Sequence, residues 1–320
     1  MAIDSSDASL ADHEQTWSLD FQKRYLSASE RFPNEILLLH DKHRSKSRHK
    51  SGIFFSTMKA ASVYAGNLLA PLMLADGMTP IDFDGYLWSD GALPSDQLRL
   101  KTGARAWFRK KGYFYGPWRY LPSWIPFAEP YQVLLLLRDP RDVLVSFYFS
   151  MAFSHSIPDG TGQLGQAPVG RSFEQSRAIR TGQPVPGHEW IREKKEKASR
   201  MTIDEFVLDQ SQVFWDVYQP YCEKLLGKKN VLLVKYEHMV SDFESWLDTV
   251  ISFLKLHPSQ EVKDHLLAAA DFRVNEENPY AHKRQVLPGD HVRKLKSETI
   301  CLLNSKWQTV LEKLSYPVVL

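Results

Sequence analysis

The chain has 320 residues, of which 43% are hydrophobic and 24% charged, and its formal charge is only +2. That composition describes a soluble globular protein able to bury a sizeable core, as one large domain or two modest ones. So small an excess charge gives no argument for a nucleic-acid partner, and any anion binding must come from local clusters.

The opening stretch "MAIDSSDASLADHEQTW" has neither the basic start nor the apolar core of a secretory signal. The longest apolar run, "VLLLL", has about five residues, far short of a membrane span. A reducing, cytoplasmic setting is therefore expected. Residues 1–50 read as a polar N-terminal extension with some helix, ending in "KHRSKSRHK" (42–50). That run would suit an anionic partner or serve as a solvated lead-in to the first strand. "GIFFS" then predicts a short apolar strand, and residues 60–75 a helix that Pro71 kinks or ends. "TPIDFDGY" (79–86) reads as a second strand, and residues 107–131 hold ten aromatics, expected to be part of the core.

"YQVLLLL" (131–137) is apolar enough to be buried on both faces, as central parallel strands are. A helix follows in "DVLVSFYFSMAF". Residues 155–200, rich in Gly, Pro, Gln and charge, would make an unusually long, lid-like loop. "NVLLVKYE" (230–237) repeats the buried-strand signature, and the next stretch has helical apolar spacing from residue 243 to 254, with Ser241 as its N-cap. Cys222 and Cys301 lie 79 residues apart and suggest neither a disulfide framework nor a zinc site. Strands alternating with helices predict an α/β fold, a central parallel sheet flanked by helices, over residues 51–320 as a single domain. Ligands then belong at the carboxyl ends of the strands.

Two strand-to-helix turns carry groups suited to that place. "FFSTMKAASVY" (54–64) puts Lys59 before Ala60, Ala61, Ser62 and Val63. Free N–H groups at a helix start attract phosphate, and small residues allow close approach. By itself the turn is equally an ordinary one containing a lysine. "LLLLRDPRDVLVSFYFS" puts Arg138 at a strand end, Pro140 in the first helical turn and Ser146 about two turns later. A guanidinium holds phosphate by two hydrogen bonds; here it would alternatively pair with Asp139 or Asp142.

The stretch Arg138–Ser146 closely resembles the 3′-phosphate-binding motif of sulfotransferases that use 3′-phosphoadenosine 5′-phosphosulfate (PAPS). "TMKAASVY" resembles the family's 5′-phosphosulfate loop, "VLLVKYEHMVSDFESWLDTVISFL" its later strand and helix, "ADFRVNEENP" its adenine-contacting segment, and "KRQVLPGDHVRKL" its basic C-terminal motif. The matches fall in family order over residues 53 to 295 and imply a P-loop-like sulfotransferase fold. By this resemblance Lys59, Ala60, Ala61, Ser62 and Val63 bind the 5′-phosphosulfate. Tyr64 and Phe272 flank the adenine with Tyr236 nearby, Arg138, Ser146 and Arg284 hold the 3′-phosphate, and Lys283 also belongs to the cofactor site. Departures are Ala60 and Ala61 for Ser and Gly, Ala270 for Thr, and His291 for Trp.

The resemblance implies sulfuryl transfer from PAPS to a hydroxyl or amine of a small-molecule acceptor, with Lys59 at the leaving phosphate and no metal demanded. Many relatives place a basic His where this chain has Tyr115, and others use a carboxylate after the first helix. Asp82 and Asp84 are expected on one face of the second strand, and Asp84 is the favoured base ahead of Tyr115 and His155. Tyr113, Tyr115 and Arg119 are expected beside the acceptor. Two other readings compete: a non-catalytic module that binds PAPS or its desulfated product PAP, and an ATP-dependent phosphotransferase. The second lacks the Gly-x4-Gly-Lys-Ser/Thr pattern. Neither nucleic acid nor membrane is expected as a partner, and a homo-oligomer is left open.

Overall fold

The computed structural model describes residues 31–89, 107–121, 125, 129–154, 186–281 and 283–318, with 87–89 and 186–191 as backbone alone. Its strands are β1 (Gly52–Phe55), β2 (Thr79–Ile81), β3 (Tyr113–Trp118), β4 (Gln132–Leu137) and β5 (Val231–Lys235). They form one parallel sheet in the order β2-β3-β1-β4-β5. The helices are α1 (Pro33–Leu39), α2 (Ser62–Ala75), α3 (Phe83–Ser89), α4 (Pro140–Phe149), α5 (Pro186–Arg200) and α6 (Ile203–Lys224), then α7 (Tyr236–Ser241), α8 (Phe243–Leu254), α9 (Gln260–Ala269), α10 (Asp290–Lys294) and α11 (Ser297–Lys313).

Every residue of β1 and β4 is buried, because alternate side chains feed two separate cores. Ile53, Phe55 and Leu135 pack with Phe206 and Tyr218 of α6 and Trp307 of α11. Phe54, Leu134 and Leu136 pack with Leu69 of α2 and Trp246 and Val250 of α8. The chain leaves β1 toward β2 on one flank and leaves β4 toward β5 on the other. Connections that diverge from neighbouring strands open a crevice at their carboxyl ends. That crevice lies between the turn carrying Lys59 and the turn carrying Arg138.

Five expectations need correction. Helix α2 runs through Pro71 to Ala75, so Pro71 does not end it. "TPIDFDGY" is a strand only over Thr79–Ile81; Asp82 then caps α3 by accepting the Gly85 N–H at 2.8 Å. Strand β5 is an edge strand, half-buried over Val231–Leu233, and its apolar residues reflect a single covered face. Asp242, not Ser241, caps α8 through the Ser245 N–H at 3.1 Å. Within 155–200, Pro186–Arg200 is helix α5, and residues 155–185 lie outside the described residues. The extension is also less detached than expected. Leu38 of α1 enters the core, and Glu35 accepts the Asp82 N–H at 2.5 Å.

Candidate active site

The turn after β1 lacks glycine but keeps a glycine-like backbone. Lys59 and Ala61 have φ of 66° and 56°, the left-handed region that costs a residue with a Cβ about 1–2 kcal/mol. Bending the chain there lets α2 begin at Ser62 with no side-chain cap, which leaves its first N–H groups available to an anion. Ala60 is fully buried, Ser62 is buried and Val63 is exposed. The Ser56 hydroxyl, buried at the base of the turn, has no hydrogen-bond partner among the described residues.

Arg138 enters this turn from β4. Its Nη1 donates to the Lys59 carbonyl at 3.1 Å, its guanidinium lies 4.3 Å from the Tyr236 ring centroid, and its buried Nε has no hydrogen-bond partner among the described residues. Neither aspartate of "RDPRD" pairs with it. Asp139 is bound by Arg141 through Nε at 3.0 Å and Nη2 at 2.6 Å, and Arg141 continues to Asn304 and to the Pro317 carbonyl. Asp142 accepts the Gly289 N–H at 2.7 Å, the His291 N–H at 2.9 Å and a contact from His291 Nδ1 at 2.6 Å. Burial alone would raise the Asp142 carboxyl; the His291 hydrogen bond and the Arg138 charge outweigh it and hold it at about 2. The motif's own carboxylates are thus bound elsewhere.

The C-terminal segment closes the crevice from above. Arg284 lies 4.0 Å over the Phe149 ring and is gripped by Glu277 and Asp290. Asp142, Ser146 and Phe149 recur at i, i+4 and i+7 on α4, so half-buried Ser146 lies on the face that meets this segment. Burial, then the charges of Arg138 and Arg284, lower the Lys59 ammonium to about 8. Three cations converge, and Lys59 has no carboxylate partner among the described residues. His291, an unexpected substitute in the sequence, proves to be the group that fastens this segment to α4.

Four other residues of the expected nucleotide site are held by partners within the protein. The Tyr64 and Phe272 rings touch edge to face at 5.4 Å, whereas an adenine between them needs about 7 Å. Tyr64 is drawn there by its hydroxyl, which accepts the Asp271 N–H at 2.8 Å. Tyr236 spends its hydroxyl on the Val286 carbonyl, and Lys283 is tied to Asp271 at 2.6 Å.

Asp84, the expected base, is buried in the first turn of α3, with Arg119 Nε 3.0 Å from its carboxylate. Burial raises its carboxyl to about 6, against the opposing pull of Arg119. Tyr221, whose hydroxyl donates to the Ser56 carbonyl at 2.7 Å, lies within electrostatic reach of Asp84. Tyr115 is a core residue: fully buried, it donates to the Trp107 carbonyl at 3.0 Å and accepts the Arg109 N–H at 2.7 Å. Burial pushes its phenol far above the ordinary range, which rules it out as a base. Tyr113 likewise sits in the core, bound to Ser45 and His43. His155 lies outside the described residues.

The sulfotransferase domain family matches residues 112–302, more than half of the chain. The chain belongs to that family. The matched region covers Arg138, Ser146, Tyr236, Phe272 and Arg284, whereas the Lys59 turn precedes it. No curated protein matches the chain in sequence. Among solved structures it is similar to a mouse sulfotransferase complexed with PAP, at 13% identity over 86% of this chain and 89% of that one, TM-score 0.45. It is also similar to a retinol dehydratase in complex with androsterone and PAP, at 14% identity over 82% and 80%, TM-score 0.43.

Proposed function

We propose that the chain transfers a sulfuryl group from PAPS to a hydroxyl or amine of a small-molecule acceptor, releasing adenosine 3′,5′-bisphosphate. The convergence of Lys59, Arg138 and Arg284 carries this reading. Burial and two guanidinium charges depress Lys59, an arrangement that favours an incoming polyanion. Arg138 and Arg284, with Ser146 on the facing side of α4, suit a 3′-phosphate; Lys59 and the first N–H groups of α2 suit the 5′-phosphosulfate.

PAPS supplies the sulfuryl group when bound. Asp84 takes the proton of the acceptor as its oxygen or nitrogen bonds to sulfur. Lys59 holds, and can protonate, the phosphate oxygen freed when the old sulfur–oxygen bond breaks. Fixed cations supply the field for that charge, as in the related phosphoryl transfers. Arg119 keeps the Asp84 carboxyl from rising further. Thermal denaturation tests the nucleotide assignment: PAP raises the melting temperature much more than AMP, which lacks the 3′-phosphate. Equal stabilisation by the two would remove the proposed 3′-phosphate site.

A further inference from the structure

The basic run "KHRSKSRHK" has no part in the site above and lies at the other end of the sheet. It leads into the amino end of β1, where Lys50 bridges to Lys111 just before β3. The Gly112 N–H donates to the His49 carbonyl, and the Ser51 N–H to the Lys110 carbonyl. Two basic segments, 42–50 and 109–111, are therefore laid side by side.

Exposure along the first segment alternates with period two. Lys42, Arg44, Lys46 and Arg48 are exposed, whereas His43, Ser45, Ser47 and His49 are half-buried. The inward residues are anchored: the Ser45 N–H donates to the Tyr113 hydroxyl at 2.9 Å, and the Ser47 hydroxyl to the Asp76 carbonyl at 3.3 Å. Outward side chains two residues apart in an extended chain repeat at about 7 Å. Asp41 pairs with both Arg44 and Arg109, and Glu129 pairs with Lys50. Lys42, Lys46, Arg48, Lys110 and Lys111 have no carboxylate partner among the described residues. These five charges exceed the net +2 of the whole chain.

Two exposed leucines flank the ribbon. The Lys42 N–H bonds to the carbonyl of Leu37, and Leu74 lies next to the Asp76 that holds Ser47; the two are 41% and 60% exposed. Tyr113, the aromatic beneath the ribbon, is buried, and so offers no platform for stacked bases. Position also argues against an anionic acceptor, since the face lies opposite the Lys59 crevice.

We infer that this ribbon adsorbs the protein to an anionic lipid surface, with the cations at headgroup level and Leu37 and Leu74 beside them. Clusters of this size bind acidic leaflets. The expectation of no membrane partner came from the lack of a spanning segment, and adsorption requires none. It holds the crevice away from the lipid, open to acceptors from solution. This inference stands apart from the proposed catalysis.

Sedimentation of the full chain with vesicles tests it. Vesicles of phosphatidylcholine with about one-third phosphatidylserine capture the protein at about 0.1 M salt and release it at about 0.5 M. Pure phosphatidylcholine vesicles do not capture it. Lys42→Glu combined with Lys46→Glu and Arg48→Glu weakens capture by at least about tenfold, with the melting temperature and PAP binding unchanged. Leu37→Ser with Leu74→Ser lowers capture further from what salt alone leaves. No capture by the acidic vesicles at low salt, or capture indifferent to charge reversal, overturns the inference. Tighter binding to duplex DNA than to the vesicles at the same salt overturns it in favour of a nucleic acid.

Discussion

Arg138 donates through Nη1 to the Lys59 carbonyl at 3.1 Å, tying the turn after β4 to the turn after β1. The bond uses one donor of the guanidinium and fixes its plane against the Tyr236 ring. Both cations therefore reach the crevice from rigid strand ends, pre-positioned for an anion. Positioning of this kind is the main resource of enzymes that transfer phosphoryl-like groups.

Replacing Lys59 separates binding from chemistry. Its charge matters most when the leaving phosphate gains negative charge, so Lys59→Ala lowers turnover by about a hundredfold to a thousandfold. Affinity for PAP, held also by Arg138 and Arg284, falls by no more than about tenfold. Steady-state kinetics and PAP titration of the same preparation check this. A variant with near-normal turnover returns Lys59 to the status of an ordinary turn residue.

The pH profile of kcat/KM carries the signatures of two groups. Asp84 must be ionised to accept a proton, so activity rises as pH climbs through about 6. Lys59 must stay charged, so activity falls as pH passes about 8. Asp84→Asn costs about a hundredfold or more and removes the acid limb. Lys59→Arg, always charged, removes the alkaline one. Arg119→Met takes away the charge that lowers Asp84 and moves the acid limb upward. An acid limb that survives Asp84→Asn places the base elsewhere.

Much of this arrangement was legible in the sequence, for identifiable reasons. Strand β4 announces itself because a strand buried on both faces needs an unbroken apolar run. Arg138 and Lys59 stand out because strand-to-helix turns meet at one crevice in such sheets. Asp82 and Asp84 misled because alternating apolar and acidic residues fit a strand, and the Asp82 cap that starts α3 is read as well from a turn. Tyr115 stood where relatives carry a base, but only three-dimensional packing reveals that its hydroxyl serves Trp107 and Arg109. The Asp142–His291 contact joins residues 149 apart, a separation that no local pattern encodes.

That contact makes stability depend on acid pH. Asp142 is buried and its carboxyl lies at about 2, against an ordinary 3.8. A depressed carboxylate contributes its stability above its unfolded value and loses it as pH falls toward the folded one. The difference corresponds to about 2 kcal/mol at neutral pH, of which about half is gone by pH 3. Asp142→Asn, which turns one acceptor into a donor facing an N–H, destabilises at pH 7 and differs less from the parent at pH 3. Urea denaturation at both values checks this, and a gap that does not narrow would sever the link between Asp142 and acid stability.

Ala61 offers a test on the turn itself. Its φ of 56° is one that glycine adopts without penalty, and here a methyl group is held in it. Ala61→Gly relieves that strain but adds freedom to the unfolded chain worth about 0.4–1 kcal/mol, so the net gain lies between about 0 and about 1.6 kcal/mol. The melting temperature therefore rises slightly or holds, whereas Ala61→Val, β-branched, lowers it and weakens PAP binding. Calorimetry with and without PAP separates the two effects. If Ala61→Gly instead destabilises by more than about 1 kcal/mol, the left-handed turn is not what shapes this loop, and the free N–H groups of α2 lose the geometry that aims them at the crevice.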